Sequence, residues 1–238
     1  MKLLIATKTN SLWRKHLDEL QRRHPELEVA VTTDPEGTEV AEAEVILGTA
    51  ITEELINRAE RLRLVAVPFA GVNHLPLELL RRREVMLVNS HVNARYVAER
   101  ALALTLAFFG KIVPFHEELR RERWHGFAAG EGVMESWDSL VGMRTAILGA
   151  GAIGDWTARM FKLFDCEVAG QRRSAVTPSP PYDEMTTDMA AAVRGAEVVV
   201  CALPLTEETR GVVDAKLFAA MRGALFVNVG RGGVADEK

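Results

Sequence analysis

The stretch Thr145–Gly154, TAILGAGAIG, limits what this chain can fold into more than any other. Ala146, Ile147 and Leu148 form a short apolar run of the kind that occupies a buried parallel strand. Gly149, Gly151 and Gly154 then punctuate a turn that opens a helix. Each glycine has a separate job: Gly149 permits the tight turn, Gly151 leaves the backbone bare where a diphosphate would approach, and Gly154 lets the helix pack close to the strand. The unpaired N–H groups and positive dipole end of that helix favour phosphate. Glycines also collect in plain turns. Here, however, Ile153, Trp156, Met160, Leu163 and Phe164 follow at helical spacing and Cys166–Gly170 reads as a second strand, which is the context a dinucleotide-binding unit requires.

Composition narrows the remaining classes. With 48% apolar residues in 238, a sizeable core is expected, and a net charge of −4 with scattered basic residues argues against a nucleic-acid surface. Arg81-Arg82-Arg83 is short and reads as a solvated helix end. Cys166 and Cys201 have no metal or redox spacing and read as reduced core residues of a cytoplasmic protein. Met1–Ala6 reads as a first strand and not as a signal peptide, and the most apolar run, Ala101–Phe109, is too short to span a bilayer. No metal site and no membrane partner are expected.

Alternating strands and helices predict an α/β chain with two doubly wound domains, residues 1–98 and 99–238. In the first, strands are expected at Leu3–Ala6, Leu27–Val31, Val45–Leu47, Leu64–Val67 and Val85–Val88, with helices capped by Ser11 and by Thr52, the latter running to Arg61. The loop Pro68-Phe69-Ala70-Gly71-Val72-Asn73-His74 leaves the carboxyl end of a strand, where open sheets bind ligands, and Gly71 lets backbone N–H groups approach an anion. An ordinary strand-to-helix loop is an equal alternative. A long helix, Ala94–Ile112, is apolar nearly all round from Ala101 to Phe109, so it must be buried on most sides, between domains or in a dimer interface. Glu117–Arg123 continue as an amphipathic charged stretch. A glycine-bearing arm with Trp124 and Trp137 as packing anchors ends at Gly142.

In the second domain an acidic residue that would hold the ribose hydroxyls of NAD is expected about 20 residues past the fingerprint. Gln171, Arg172, Arg173 and Ser174 stand there instead. Arginines pair bidentately with phosphate, so the charge favours NADP(H), with NAD(H) possible and an exposed basic turn as the alternative. Residues 175–186, with Pro178, Pro180 and Pro181, read as a loop without a strand. Helix 188–194 leads to strand 197–202 and the loop Leu203-Pro204-Leu205-Thr206; helix 214–221 leads to strand 224–229, which delivers Gly230-Arg231-Gly232-Gly233. A permanent planar cation at Arg231 suits a carboxylate and carbonyl; a surface salt bridge would serve equally on geometry alone.

Taken together, FAGVNHL at 69–75, NSHVNARYVAE at 89–99, LVGMRTAILGAGAIG at 140–154, LPLTEETRGVV at 203–213 and LFVNVGRGGV at 225–234 resemble the D-isomer-specific 2-hydroxyacid dehydrogenase family, near its hydroxypyruvate/glyoxylate reductase and phosphoglycerate dehydrogenase branches. The resemblance implies a flavodoxin-like substrate domain followed by a Rossmann dinucleotide-binding domain lacking its last strands, and a small 2-oxo or 2-hydroxy acid as substrate. It implies that backbone groups of Ala70, Gly71 and Val72 hold the substrate carboxylate, and that Arg231 is the catalytic, substrate-orienting arginine. Around the cofactor it places Ala152 and Ile153 beside the diphosphate, Gln171 and Arg172 at the ribose selector, Leu203, Pro204 and Thr209 near the adenosine and nicotinamide ribose, and Val229 and Gly230 on the nicotinamide side. A homodimer is expected. The family's acid/base histidine and its orienting glutamate follow the arginine motif, and the chain ends at Lys238, so the expectation is a chain truncated before that histidine. His16, His24, His116 and His125 fall in helices or the arm, and His74 and His91 occupy positions the family uses otherwise. The alternative is a catalytically silent NAD(P)-binding module acting through dimer or partner contacts.

Overall fold

A computed structural model describes residues 1–124, 136–174 and 177–237, and the chain divides into two compact units, Met1–Val92 and Asn93–Lys238. In the first, strands β1 (Lys2–Ala6), β2 (Glu28–Val31), β3 (Val45–Gly48), β4 (Leu64–Ala66) and β5 (Met86–Val88) make one parallel sheet in the order β2-β1-β3-β4-β5. Successive side chains point to opposite faces of a strand. Leu4, Ile46 and Val65 therefore join Leu55, Ile56, Leu79 and Leu80 from helices α2 (Glu53–Arg58) and α3 (Leu77–Arg82), while Leu3 and Ile5 pack on Leu17 of α1 (Ser11–Arg23). Two helix ends differ from the sequence reading. Asn10, not Ser11, caps α1, because its Oδ1 accepts the Trp13 N–H at 3.0 Å. Helix α2 stops at Arg58, and the Arg83 guanidinium donates to Ile56 O and, at 2.7 Å, to Ala59 O, satisfying carbonyls that a further turn would have used.

The second unit has helices α4 (Ala94–Phe109), α5 (Ile112–Leu119), α6 (Ala152–Lys162), α7 (Met189–Val193) and α8 (Ala215–Ala220) around a parallel sheet of β6 (Arg144–Leu148), β7 (Glu167–Gln171), β8 (Glu184–Thr186), β9 (Val198–Cys201) and β10 (Leu225–Asn228), in the order β10-β9-β6-β7-β8. Ile147, Val168, Val198 and Val200 face Phe161 and Ala158 of α6; Ala146, Leu148, Val199 and Cys201 face Val193 and Leu217 of α7 and α8. Strand β8 is a correction, since this segment was expected to be loop. The three prolines lie upstream of it, and Glu184–Thr186 retain the N–H groups needed to pair with Ala169–Gln171.

The long helix is also corrected. It breaks after Phe109, where Lys111 takes a left-handed φ of 47°, and a separate helix begins at Ile112. Nor is its apolar circumference buried within the chain: Ala98, Ala101 and Thr105 are, but Leu104 is 47% and Phe108 60% exposed. Residues 125–135 of the glycine-bearing arm, His125 among them, lie outside the described residues, while Trp124 and Trp137, expected as packing anchors, are 72% and 52% exposed. At the amino ends of the strands, Arg144 pairs with Glu167 and, at 2.8 Å, with Glu184. Asp183 accepts the Val168 N–H at 2.7 Å and Lys162 Nζ at 2.9 Å. Burial works against the Asp183 carboxylate, but these donors hold its pKa below the ordinary value. Among the described residues no helix is long and apolar enough to cross a membrane.

Candidate functional site

In the second sheet the chain leaves β6 toward β7 on one side and later returns to β9 on the other, so the switch point falls at the end of β6. The glycine turn stands there. Gly149 has φ +92°, and a Cβ on it would lie 3.0 Å from Ala202 C and Leu203 N, so only glycine fits. Its N–H and that of Ala150 donate to Gln171 O at 3.0 and 2.8 Å, which ties the turn to β7. A Cβ on Gly154 would lie 2.5 Å from Gly149 O and 3.0 Å from Ile147 Cγ2. A Cβ on Gly151, by contrast, would meet no atom within 4 Å. The backbone there is bare and faces open space. Among the described residues the N–H groups of Ala152, Ile153 and Gly154, in the first turn of α6, have no acceptor. These residues fit a diphosphate: a concave bare turn, three unpaired donors, and the positive end of a helix dipole.

Past β7, Arg172 and Arg173 are exposed, and neither guanidinium makes an ion pair or hydrogen bond among the described residues. Gln171 differs. It is 4% exposed, its Nε2 donates to Thr187 O at 3.3 Å, and its buried Oε1 has no partner. Its main-chain carbonyl is what accepts the hydrogen bonds of the glycine turn. Close by, Tyr182 lies against Gly154 and Gly170 and donates to Asp155 Oδ1 at 2.9 Å; burial and then that carboxylate hold the phenol far above its ordinary pKa.

The loops after β6, β9 and β10 meet. Leu203 is buried, its N beside Gly149, and a Cβ on Gly230 would lie 2.4 Å from Leu203 O. The Thr209 hydroxyl donates to Pro204 O and accepts from Thr206 N at 2.8 Å, so it braces this loop. Val229 and Gly230 N–H groups both donate to Cys201 O, at 2.9 and 3.1 Å. Asn228, which the sequence reading passed over, closes the turn: Oδ1 accepts from Gly230 N at 3.0 Å and Nδ2 donates to Arg231 O at 3.1 Å. An Asn at the last position of a strand, two residues before a glycine, is the signal that could have found it. Arg231 is exposed, its Nη1 donates to Gly230 O at 3.0 Å, and it has no carboxylate partner among the described residues.

In the first unit, the loop after β4 carries Ala70, Gly71 and Val72 half-buried, with no acceptor for their N–H groups among the described residues. Asn89 Nδ2 donates to Ala70 O at 2.8 Å. The His74 ring leans on Phe69 with centroids 5.6 Å apart, and His91 is exposed. His16 lies on α1, His24 follows it beside Glu26, and His116 lies on α5.

A parallel sheet with a bare glycine turn at its switch point defines a dinucleotide-binding domain. Comparison agrees: the family profile "D-isomer specific 2-hydroxyacid dehydrogenase, NAD binding domain" matches residues 102–238, and the chain belongs to that family. A glyoxylate/hydroxypyruvate reductase of Arabidopsis thaliana is 27% identical over 207 residues, covering 86% of this chain; the chain spans 62% of that relative's length. A crystal structure of a Pyrococcus horikoshii protein superposes with a TM-score of 0.79 at 26% identity, over 99% of this chain and 72% of the other. An acyclic imino acid reductase in complex with NADPH and D-Arg shares the fold, with a TM-score of 0.82 at 20% identity over 100% of this chain and 76% of its own.

Proposed function

We propose that the protein is an NAD(P)-dependent oxidoreductase interconverting a small 2-oxo acid and its D-2-hydroxy acid. The observation that carries this is the pairing, at the ends of β6 and β10 on either side of β9 in one sheet, of a diphosphate-fitting turn with an arginine that has no carboxylate partner among the described residues and whose backbone is clamped by Asn228. A bound nicotinamide would supply or accept the hydride. Ala152, Ile153 and Gly154 would hold the diphosphate by their N–H groups, while Leu203, Pro204, Val229 and Gly230 would line the nicotinamide side. Arg231 would orient the substrate and draw charge onto the carbonyl oxygen as it becomes an alkoxide, a role suited to a cation that never loses its proton. Ala70, Gly71 and Val72 would hold the carboxylate. The two unpaired guanidinium groups of Arg172 and Arg173 support NADP(H) over NAD(H), since a 2′-phosphate would find charge-assisted donors there.

The exposed apolar residues Tyr96, Leu104, Phe108, Ile112 and Val113 on α4 and α5 suit burial against a second copy, and we assign a homodimer. Buried free thiols at Cys166 and Cys201 suit a reducing, cytosolic setting. Hydride transfer to an oxo group also needs a proton donor. A second reading, a nucleotide-binding module that turns nothing over, draws on the same bare turn and its three unpaired donors, which suit a dinucleotide whether or not chemistry follows. Oxidation of NADPH with glyoxylate and with hydroxypyruvate separates the two. Substrate-dependent turnover lost in Arg231→Gln supports the enzyme; tight NADPH binding without turnover supports the module.

A further inference from the structure

A row of N–H groups binds an anion well only if the peptide units carrying it are held in place beforehand. Residues 68–74 form neither helix nor strand, and Gly71 has no Cβ to restrict its backbone. The restraint comes from another segment. Asn89, the first residue past β5, donates from Nδ2 to Ala70 O at 2.8 Å, and the N–H of Ser90 reaches Phe69 O at 3.4 Å. A peptide unit is planar and trans, so its C=O and N–H point in opposite directions. Fixing Ala70 O toward Asn89 therefore fixes the Gly71 N–H on the side away from Asn89, where no protein acceptor among the described residues meets it.

We propose that Asn89 is a positioning residue for the anion loop: its side-chain amide sets the Ala70–Gly71 peptide unit so that the Gly71 N–H faces the substrate carboxylate. This rests on the assignment of residues 70–72 to that carboxylate. The side chain must be a donor. An Asp at this position would set a carboxylate oxygen against Ala70 O, and an Ala would leave the carbonyl free to turn to water. Asn89 is itself exposed, so its removal strands no buried polar group of its own and the fold loses little.

The test is a titration of the ¹⁵N-labelled full chain with oxalate, alongside NADPH binding and thermal unfolding. In the wild type the Ala70, Gly71 and Val72 amide signals shift and saturate together. Asn89→Ala weakens oxalate by about three- to tenfold, the value of one lost hydrogen bond, with NADPH affinity and Tm unchanged. Asn89→Gln, which keeps the amide donor on a longer arm, recovers part of the loss. Unchanged oxalate affinity in Asn89→Ala, with wild-type shifts at 70–72, overturns the role of Asn89 alone. Equal losses in oxalate affinity, NADPH affinity and Tm also overturn it, since they mark a general structural role. Wild-type shifts that miss residues 70–72 overturn the carboxylate assignment itself.

Discussion

Two glycines of the same turn are expected to respond to alanine in opposite ways. At Gly154 the added methyl would sit 2.5 Å from Gly149 O and 3.0 Å from Ile147 Cγ2. The first is backbone, so relief requires α6 to move off the sheet, an overpacking cost of about 1–3 kcal/mol. Alanine returns up to about 1 kcal/mol of helix propensity, less so in a first turn, which leaves a net loss of about 1–2 kcal/mol. For a chain of this size that is a Tm lower by roughly 2–8 °C. Gly151 has an extended backbone, φ −125° and ψ −159°, and its methyl would meet nothing. Gly151→Ala should leave stability within about 0.5 kcal/mol of wild type. The same methyl would enter the space proposed for the diphosphate, so NADPH affinity should fall by about tenfold or more, the scale of one or two kcal/mol of lost contact. Thermal and urea unfolding read the first quantity, and fluorescence titration with NADPH reads the second. A Gly151→Ala protein that binds NADPH as wild type, or a Gly154→Ala protein as stable as wild type, would refute the division of labour within the turn.

Arg231→Lys keeps the charge but loses the planar fork, and turnover of a 2-oxo acid should drop by about a hundredfold with little change in NADPH affinity; a drop confined to NADPH affinity contradicts the role. Phe108→Asp, at an exposed apolar site on α4, should convert a dimer to a monomer in analytical ultracentrifugation, whereas an unchanged sedimentation coefficient removes α4 from the interface. Asp183 has a folded-state pKa below its ordinary value, so its stabilising contribution is present above the ordinary carboxylate range and is lost as pH falls through the folded value. The urea-midpoint gap between wild type and Asp183→Asn should be full at neutral pH and close below about pH 4; a gap that widens on acidification is inconsistent with this.

The parts of the fold that rest on local chemistry were legible in the sequence. Alternating apolar runs gave nine of the ten strands found among the described residues, and the glycine spacing put the bare turn at the end of β6, at the switch point. What was not legible depends on contacts far apart in the chain. The end of α2 is met by Arg83, from the end of a later helix. Strand β8 exists because β7 offers an edge, not because Glu184–Thr186 carries a strand pattern of its own. The break between α4 and α5 sits at Gly110-Lys111, and a lone glycine in an apolar helix reads as tolerable. Of the site, the residue types were visible and most restraints were not: an Asn at the strand end two residues before Gly230 points to the turn that Asn228 closes, but nothing in the order of residues says that Asn89 holds Ala70 O or that Gln171 is turned inward under Thr187.

The central claim is that the bare turn after β6 receives the diphosphate of a phosphorylated nicotinamide dinucleotide. Amide chemical-shift mapping of the ¹⁵N-labelled chain against NADPH and NADH tests it directly. The account predicts saturable shifts at Gly151, Ala152 and Ile153 with both, and a lower Kd for NADPH. Shifts that cluster elsewhere would contradict the site, and a lower Kd for NADH would contradict the reading of Arg172 and Arg173.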